Sequence, residues 1–199
     1  MTNKVLSIPT PCSSEVNKYL NQWKNSNKYV CHENSLTDLF TKAYPNNKNI
    51  EEILIKVSSL NDLYSTNIFS SYDVAEHIFL TIPDIDIRLK RGDPSLVEEI
   101  AKATIGNKNK YFYSFATKYC SFHNPKDFPI YDSYIEKVLW HFHSQQIVSF
   151  TKSKFNKKDL KDYSRFIKIM NDFKNHYGLT KYTTKELDRY LWLLGKEYF

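Results

Sequence analysis

At the join between a proline-punctuated loop and an apolar helical run, FHNPKDFPIYDSYIEKVLWHF (Phe122 to Phe142), stands Asp132. A carboxylate in that place has two uses. As an N-cap it accepts from the free N–H groups of the next helical turn. In a cavity the same charge steadies a developing cation and orients a nucleophile. Tyr131 and Tyr134 flank it and are the aromatic side chains best placed to stack on a planar ligand. Other polar groups read more plainly. His141 and His143 are two apart on a helix, point to different sides and make a poor metal pair. His123 belongs to the turn before the loop. Glu51 and Glu52 serve a helix N-terminus. Lys152, Lys154, Lys157, Lys158 and Lys161 track a phosphate backbone or cover a solvated face.

The elements that must position Asp132 are helical. The chain has 199 residues with 15 Tyr and 13 Phe but only 4 Gly, which argues against a glycine-turned barrel or a dinucleotide-binding α/β unit. Its length fits one domain over residues 1–199, and no linker or internal repeat divides it. Ser13 or Ser14 caps a first helix carrying Val16, Tyr19, Leu20 and Trp23 on one side. ENSLTDLFTKAYP forms a second, stopped by Pro45. Ile50, Ile53, Leu54, Val57, Leu60, Leu63 and Tyr64 follow helical spacing after Asn49. A helix ends before Pro83, and Pro83 to Pro94 forms an extended segment or a hinge. Asp93 and Pro94 then start a helix that Gly106 stops. NKYFYSFATKYCSFH precedes the loop, and a helix from Ser133 to Ser144 follows it. One long amphipathic helix closes at Gly178, and Thr183-x-x-Glu186 is a capping box for the last. The fold class is all-α.

The formal net charge of +6, with abundant aromatics, suits an anionic polymer such as nucleic acid. Cys12, Cys31 and Cys120 are widely spaced and form no CxxC pair, so neither a disulfide framework nor a zinc knuckle is signalled. The N-terminus MTNKVLSIPTPCSS lacks the apolar core of a signal peptide, and no stretch has the length of a membrane span. A cytoplasmic protein with no membrane association is expected.

SFATKYCSFHNPKDFPIYDSYIEKVL resembles the second half of the helix-hairpin-helix DNA glycosylase superfamily, 8-oxoguanine glycosylase-like members included. In that family a hairpin precedes a helix beginning Lys-Thr-Ala, and a Val-Asp-Thr-His-Val type segment follows a proline-containing loop. PIYDSYIEKVL matches that segment, so the resemblance implies two packed helical lobes with Asp132 as the catalytic carboxylate facing a flipped nucleotide in duplex DNA. It also implies base excision by cleavage of the N-glycosidic bond. The family's spacing places Ser114 where its Schiff-base lysine stands. Serine forms no imine, which points to a monofunctional enzyme with an activated water. Lys118 lies one turn further on the same helical face. Burial beside Asp132 makes it a nucleophile, although an exposed or snorkelling lysine is the plainer expectation. The hairpin glycines are missing from NKYFY. Gly106, with Lys108 and Lys110 as phosphate contacts, serves a rebuilt hairpin. No cofactor, metal or obligate protein partner is called for, although the family's hairpin sometimes holds a monovalent cation. The rival readings are a non-catalytic nucleic-acid-binding member, with Ser114 marking lost activity, and a helical protein-interaction module.

Overall fold

The computed structural model describes residues 7–145, 149–151 and 154–199. Among them the chain forms ten α-helices and one two-stranded hairpin. Helix α1 (Ser13–Lys24) packs on α10 (Thr184–Tyr198), and α10 packs on α8 (Ser133–Ser144). Helices α3 (Ile50–Tyr64) and α4 (Ser71–Thr81) pair, as do α6 (Ser95–Ala101) and α7 (Tyr113–His123). One continuous apolar core joins the two groups, from Val16 and Tyr19 through Ile53, Leu96, Phe115 and Leu139 to Phe173 and Leu194.

Several helix ends are set by side chains the sequence exposes. Ser26 accepts from Tyr29 N and starts α2 (Asn27–Asp38) well before Glu33, and the helix loosens into a π turn over Leu39–Ala43. The N-cap position of α1 is Cys12 rather than Ser13 or Ser14. Thr183 and Glu186 exchange both hydrogen bonds of the capping box at α10.

Three expected elements are corrected. Pro83 to Pro94 is neither extended nor a hinge: Asp84, at φ 51, turns the chain into α5 (Ile85–Arg91), whose Ile85 and Leu89 enter the core. The helix expected to run to Gly106 stops at Ala101 and gives way to strand β1 (Lys102–Ile105), paired antiparallel with β2 (Lys108–Tyr111). Ala103 is buried between exposed Lys102 and Thr104, the alternation of a strand with one face inward. Gly106, at φ +56, takes the tight turn that a side chain would strain. The long helix is broken at Asp162, whose extended ψ of 111 separates a 3₁₀ turn (Lys157–Lys161) from α9 (Tyr163–His176) and whose carboxylate caps the latter through Arg165 N. Of the basic cluster, Lys152 lies outside the described residues, as does the start of the N-terminal segment.

Among the described residues no helix is long and apolar enough to cross a membrane. None of their His, Cys, Asp and Glu side chains converge as a metal-holding set. His143 instead stacks on Phe155, ring centroids 4.0 Å apart.

Candidate active site

Asp132 is the N-cap of α8. Its backbone is extended (φ −144, ψ 155), and Oδ1 accepts from Tyr134 N at 3.0 Å. The cap leaves Oδ2 free to face inward, where Lys118 Nζ lies 3.4 Å away. The Asp132 side chain therefore both caps α8 and faces the Lys118 amine.

The lysine overturns the plainer expectation. Lys118 is neither exposed nor snorkelling: its residue is 2% exposed. It sits mid-way along α7, a helix buried on nearly all sides. Its amine donates to Ser114 Oγ at 2.5 Å and to Tyr131 O at 3.4 Å, with the Tyr64 ring 5.6 Å away. Desolvation pushes its pKa below the ordinary lysine value, against the opposing pull of Asp132. Ser114, half-buried, passes its own hydrogen to Tyr131 O at 3.2 Å. Its hydroxyl holds the Lys118 amine and does not line the cavity described below.

Lys118, Asp132 and Tyr134 line one cavity of about 640 Å³. Its aromatic wall joins the two ends of the chain. Trp23 of α1 and Tyr29 of α2 lie 5.1 Å apart, and Trp192 of α10 meets both edge-on. Tyr134 reaches Trp192 at 6.1 Å. Cations sit on these rings: Lys196 Nζ lies 5.2 Å from the Tyr29 centroid and 4.9 Å from that of Trp192, and Arg189 lies 5.7 Å from that of Trp23. Tyr131 is corrected: it is 7% exposed and turned into the core against Tyr113 and Phe166, with its hydroxyl on Glu136. Only its carbonyl serves the site. Lys108 and Lys110 project from β2, fully outside the cavity, two residues apart and therefore on one face of the ribbon.

Charged groups of the wall escaped the sequence reading, among them Glu33, Lys185, Asp188 and Arg189. Glu33 is buried and held by Arg189 Nη2 at 2.7 Å, Lys185 at 3.2 Å and the Trp23 indole at 3.2 Å. Asp188 is 4% exposed; its Oδ2 accepts from Ile130 N at 3.0 Å, and its buried Oδ1 has no hydrogen-bond partner among the described residues. Burial drives its carboxyl up to about 7, only partly countered by the Ile130 N–H and by Lys185 and Lys118. Its helix can approach α8 because Gly195 meets Tyr134: an added Cβ would lie 2.7 Å from the Tyr134 carbonyl oxygen.

The raised carboxyl has a stability consequence. The unfolded chain releases this proton near the ordinary 3.8 while the folded chain keeps it to about 7. Stability is therefore fully present below pH 4 and falls as pH rises through 7. Asp188→Asn keeps an acceptor for Ile130 N and removes the titration. It is expected to raise the melting temperature at pH 8 by a margin that shrinks at pH 5, with a difference of a few kcal/mol in unfolding free energy. Equal margins at both pH values would show that Asp188 is ionised in the fold.

No solved structure matches the chain significantly. A protein of Haemophilus influenzae (strain ATCC 51907 / DSM 11121 / KW20 / Rd), named as an uncharacterized protein, is 53% identical over 150 residues, covering 75% of this chain and 69% of its own length. The family model HI_0787_N, described as an N-terminal domain, matches residues 15–127. That span supplies Trp23, Glu33, Ser114 and Lys118, whereas Asp132 and Asp188 follow it. The match covers more than half of the sequence, and the chain belongs to the HI_0787_N family.

Proposed function

We propose that this protein is a DNA glycosylase of the helix-hairpin-helix kind, which takes a base swung out of a duplex into the aromatic cavity and cleaves its N-glycosidic bond. The observation that carries the reading is the Lys118 amine, buried in the wall of that cavity with Asp132 Oδ2 3.4 Å away. A desolvated amine has more of its neutral, nucleophilic form at neutral pH. A carboxylate beside it stabilises the oxocarbenium-like sugar as the base departs. Trp23, Tyr29 and Trp192 offer faces on which an extruded base stacks.

This changes the expected chemistry. Serine at position 114, which forms no imine, pointed to a water nucleophile and to base release without strand cleavage. What supports an amine nucleophile instead is that Lys118, one turn further along α7, lies 3.4 Å from Asp132 Oδ2 and is held by Ser114 Oγ. The reading becomes a bifunctional enzyme in which Lys118 attacks the anomeric carbon and forms an imine. In this reading α3 to α7 and the remaining helices are the two lobes that flank the bound nucleotide, and the β1–β2 ribbon replaces the glycine-rich hairpin.

Incubation with duplexes carrying oxidised, deaminated and alkylated bases, in the presence of borohydride, tests the proposal. Excision of one class together with a reduced covalent protein–DNA adduct is expected. Duplex binding without excision of any base would identify a non-catalytic member, and no duplex binding would favour a protein-interaction module.

Duplex binding itself is expected to weaken steeply with salt, because phosphate contacts release counterions. Replacing both Lys108 and Lys110 by Ala removes two exposed charges from the ribbon. The slope of log affinity against log salt should become less steep by about 2. An unchanged slope would place the phosphate track elsewhere.

A further inference from the structure

The cations that line the cavity fall into two groups. The first group is paired: Arg189 and Lys185 hold Glu33, and Lys118 faces Asp132. Lys28 and Lys196 line the same cavity, yet no carboxylate among the described residues lies within ion-pair distance of either. Asp62 of α3 also lines it and pairs with neither. Both lysines belong to the rim. Lys28 is exposed in the first turn of α2, ahead of buried Glu33 on the same helix. Lys196 is exposed in the last turn of α10, one turn beyond Trp192.

Lys196 is not a loose surface lysine. Its Nζ donates to Tyr29 Oη at 2.8 Å and rests over the Tyr29 and Trp192 rings. Tyr29 follows Lys28 in α2, so this bond draws α10's rim lysine to the end of α2 that carries the other. An ammonium has three N–H donors. One is spent on Tyr29, and the other two have no acceptor among the described residues. An anion arriving at the mouth therefore meets an ammonium that is already ordered, with donors to spare.

We propose that Lys196 and Lys28 form a phosphate subsite at the mouth of the cavity, holding the phosphate of a nucleotide whose nucleoside enters along the aromatic wall. The inference rests on the reading of the cavity as a nucleotide site, and the phosphate is that of a free nucleotide or of one extruded from DNA. Contacts run from Lys196 to Trp192, from Trp192 to Tyr134, and from Tyr134 N to Asp132 beside Lys118. Aromatic side chains thus lie between the rim cation and the buried amine. A nucleotide has the same order, an anion at one end and a sugar and ring at the other. The volume, about 640 Å³, falls within the roughly 300–1,000 Å³ of small-molecule sites. A neutral ring gains nothing from unpaired rim cations, and a cationic ligand is repelled by them.

Titration of the full chain with deoxyguanosine 5′-monophosphate and with deoxyguanosine, followed by tryptophan fluorescence, tests the subsite, because Trp23 and Trp192 line the cavity. The nucleotide should bind at least about tenfold more tightly than the nucleoside, as charge-assisted hydrogen bonds imply. Lys28→Gln and Lys196→Met should each remove most of that margin and leave nucleoside affinity unchanged. Methionine still packs on Tyr29 and Trp192, and thermal unfolding checks the fold. Lys48→Gln, at an exposed lysine that does not line the cavity, controls for the loss of one charge and should change nothing. A margin that survives both rim substitutions would overturn the subsite, as would a wild type that binds neither nucleotide nor duplex. Equal affinity for nucleotide and nucleoside, with duplex binding that neither substitution weakens beyond the Lys48→Gln control, would also overturn it. Duplex binding weakened well beyond that control in both rim variants, without binding of the free nucleotide, would support the subsite and assign its phosphate to DNA. A nucleotide margin that needs both lysines, in a protein that releases no base from any duplex, would keep the subsite and remove the glycosylase reading. Base release with no nucleotide margin, and with duplex binding unchanged in both variants, would do the reverse.

Discussion

Replacing Lys118 by Met is expected to abolish the borohydride-trapped adduct and to lower base release by at least about 10³-fold, while the protein folds and binds duplex DNA. The substitution is chosen for shape. Lys118 is buried and packed within α7, so an alanine would leave a void, whereas methionine fills nearly the same volume without an amine. Folding should survive because the carboxylate left without its partner, Asp132, has 20% of its side chain exposed and can be solvated, which limits the cost of breaking the pair. The partners of Lys118 keep contacts of their own. Ser114 Oγ keeps Tyr131 O as its acceptor, and Asp132 keeps its cap on Tyr134 N. Binding should survive because the exposed lysines of the ribbon are untouched. An adduct that persists in Lys118→Met would place the nucleophile on another amine. Base release that persists with no adduct in either protein would restore the activated-water route that Ser114 first suggested.

How far the sequence could lead is clear from individual residues. Asp132 was legible because a cap announces itself: an acid between a proline loop and an apolar run is read locally, and α8 begins at Ser133 as expected. The burial of Lys118 was not, because the groups that enclose it come from three segments: Ser114 on its own helix, Tyr131 and Asp132 in the following loop, and Tyr64 at the end of α3. Helical spacing predicts a face, and α7 has almost no exposed face to predict. The aromatic wall joins Trp23 to Trp192, near opposite ends of the chain, a pairing that no local pattern encodes. The β1–β2 ribbon was hidden by its length: four residues with one buried position are too few for an alternation to outweigh the helical pattern before them. Asp188 did leave a signal. It interrupts the apolar stripe of α10, one residue after Leu187 and three before Leu191, where an acid has to be explained.

Asp132→Asn is expected to leave the fold and duplex binding intact and to reduce base release by about 10²–10³-fold. Asparagine caps a helix about as well as aspartate, and its side-chain oxygen can still accept from Tyr134 N, so α8 and the aromatic wall should keep their places. What is lost is the negative charge beside the sugar. The amine supplies a sign that separates this loss from its trivial cause. Asp132 pulls the Lys118 pKa upward, against the larger effect of burial. Removing that pull leaves more of the amine neutral at a given pH, so the supply of nucleophile rises in the variant. A fall in rate therefore cannot come from a protonated lysine; it must come from weaker support of the cation that forms as the base departs. Single-turnover base release against pH, with thermal unfolding as the control for folding, measures both effects at once. The variant's rising limb should shift to lower pH while its plateau drops. Equal plateaus for wild type and Asp132→Asn would reduce Asp132 to a helix cap.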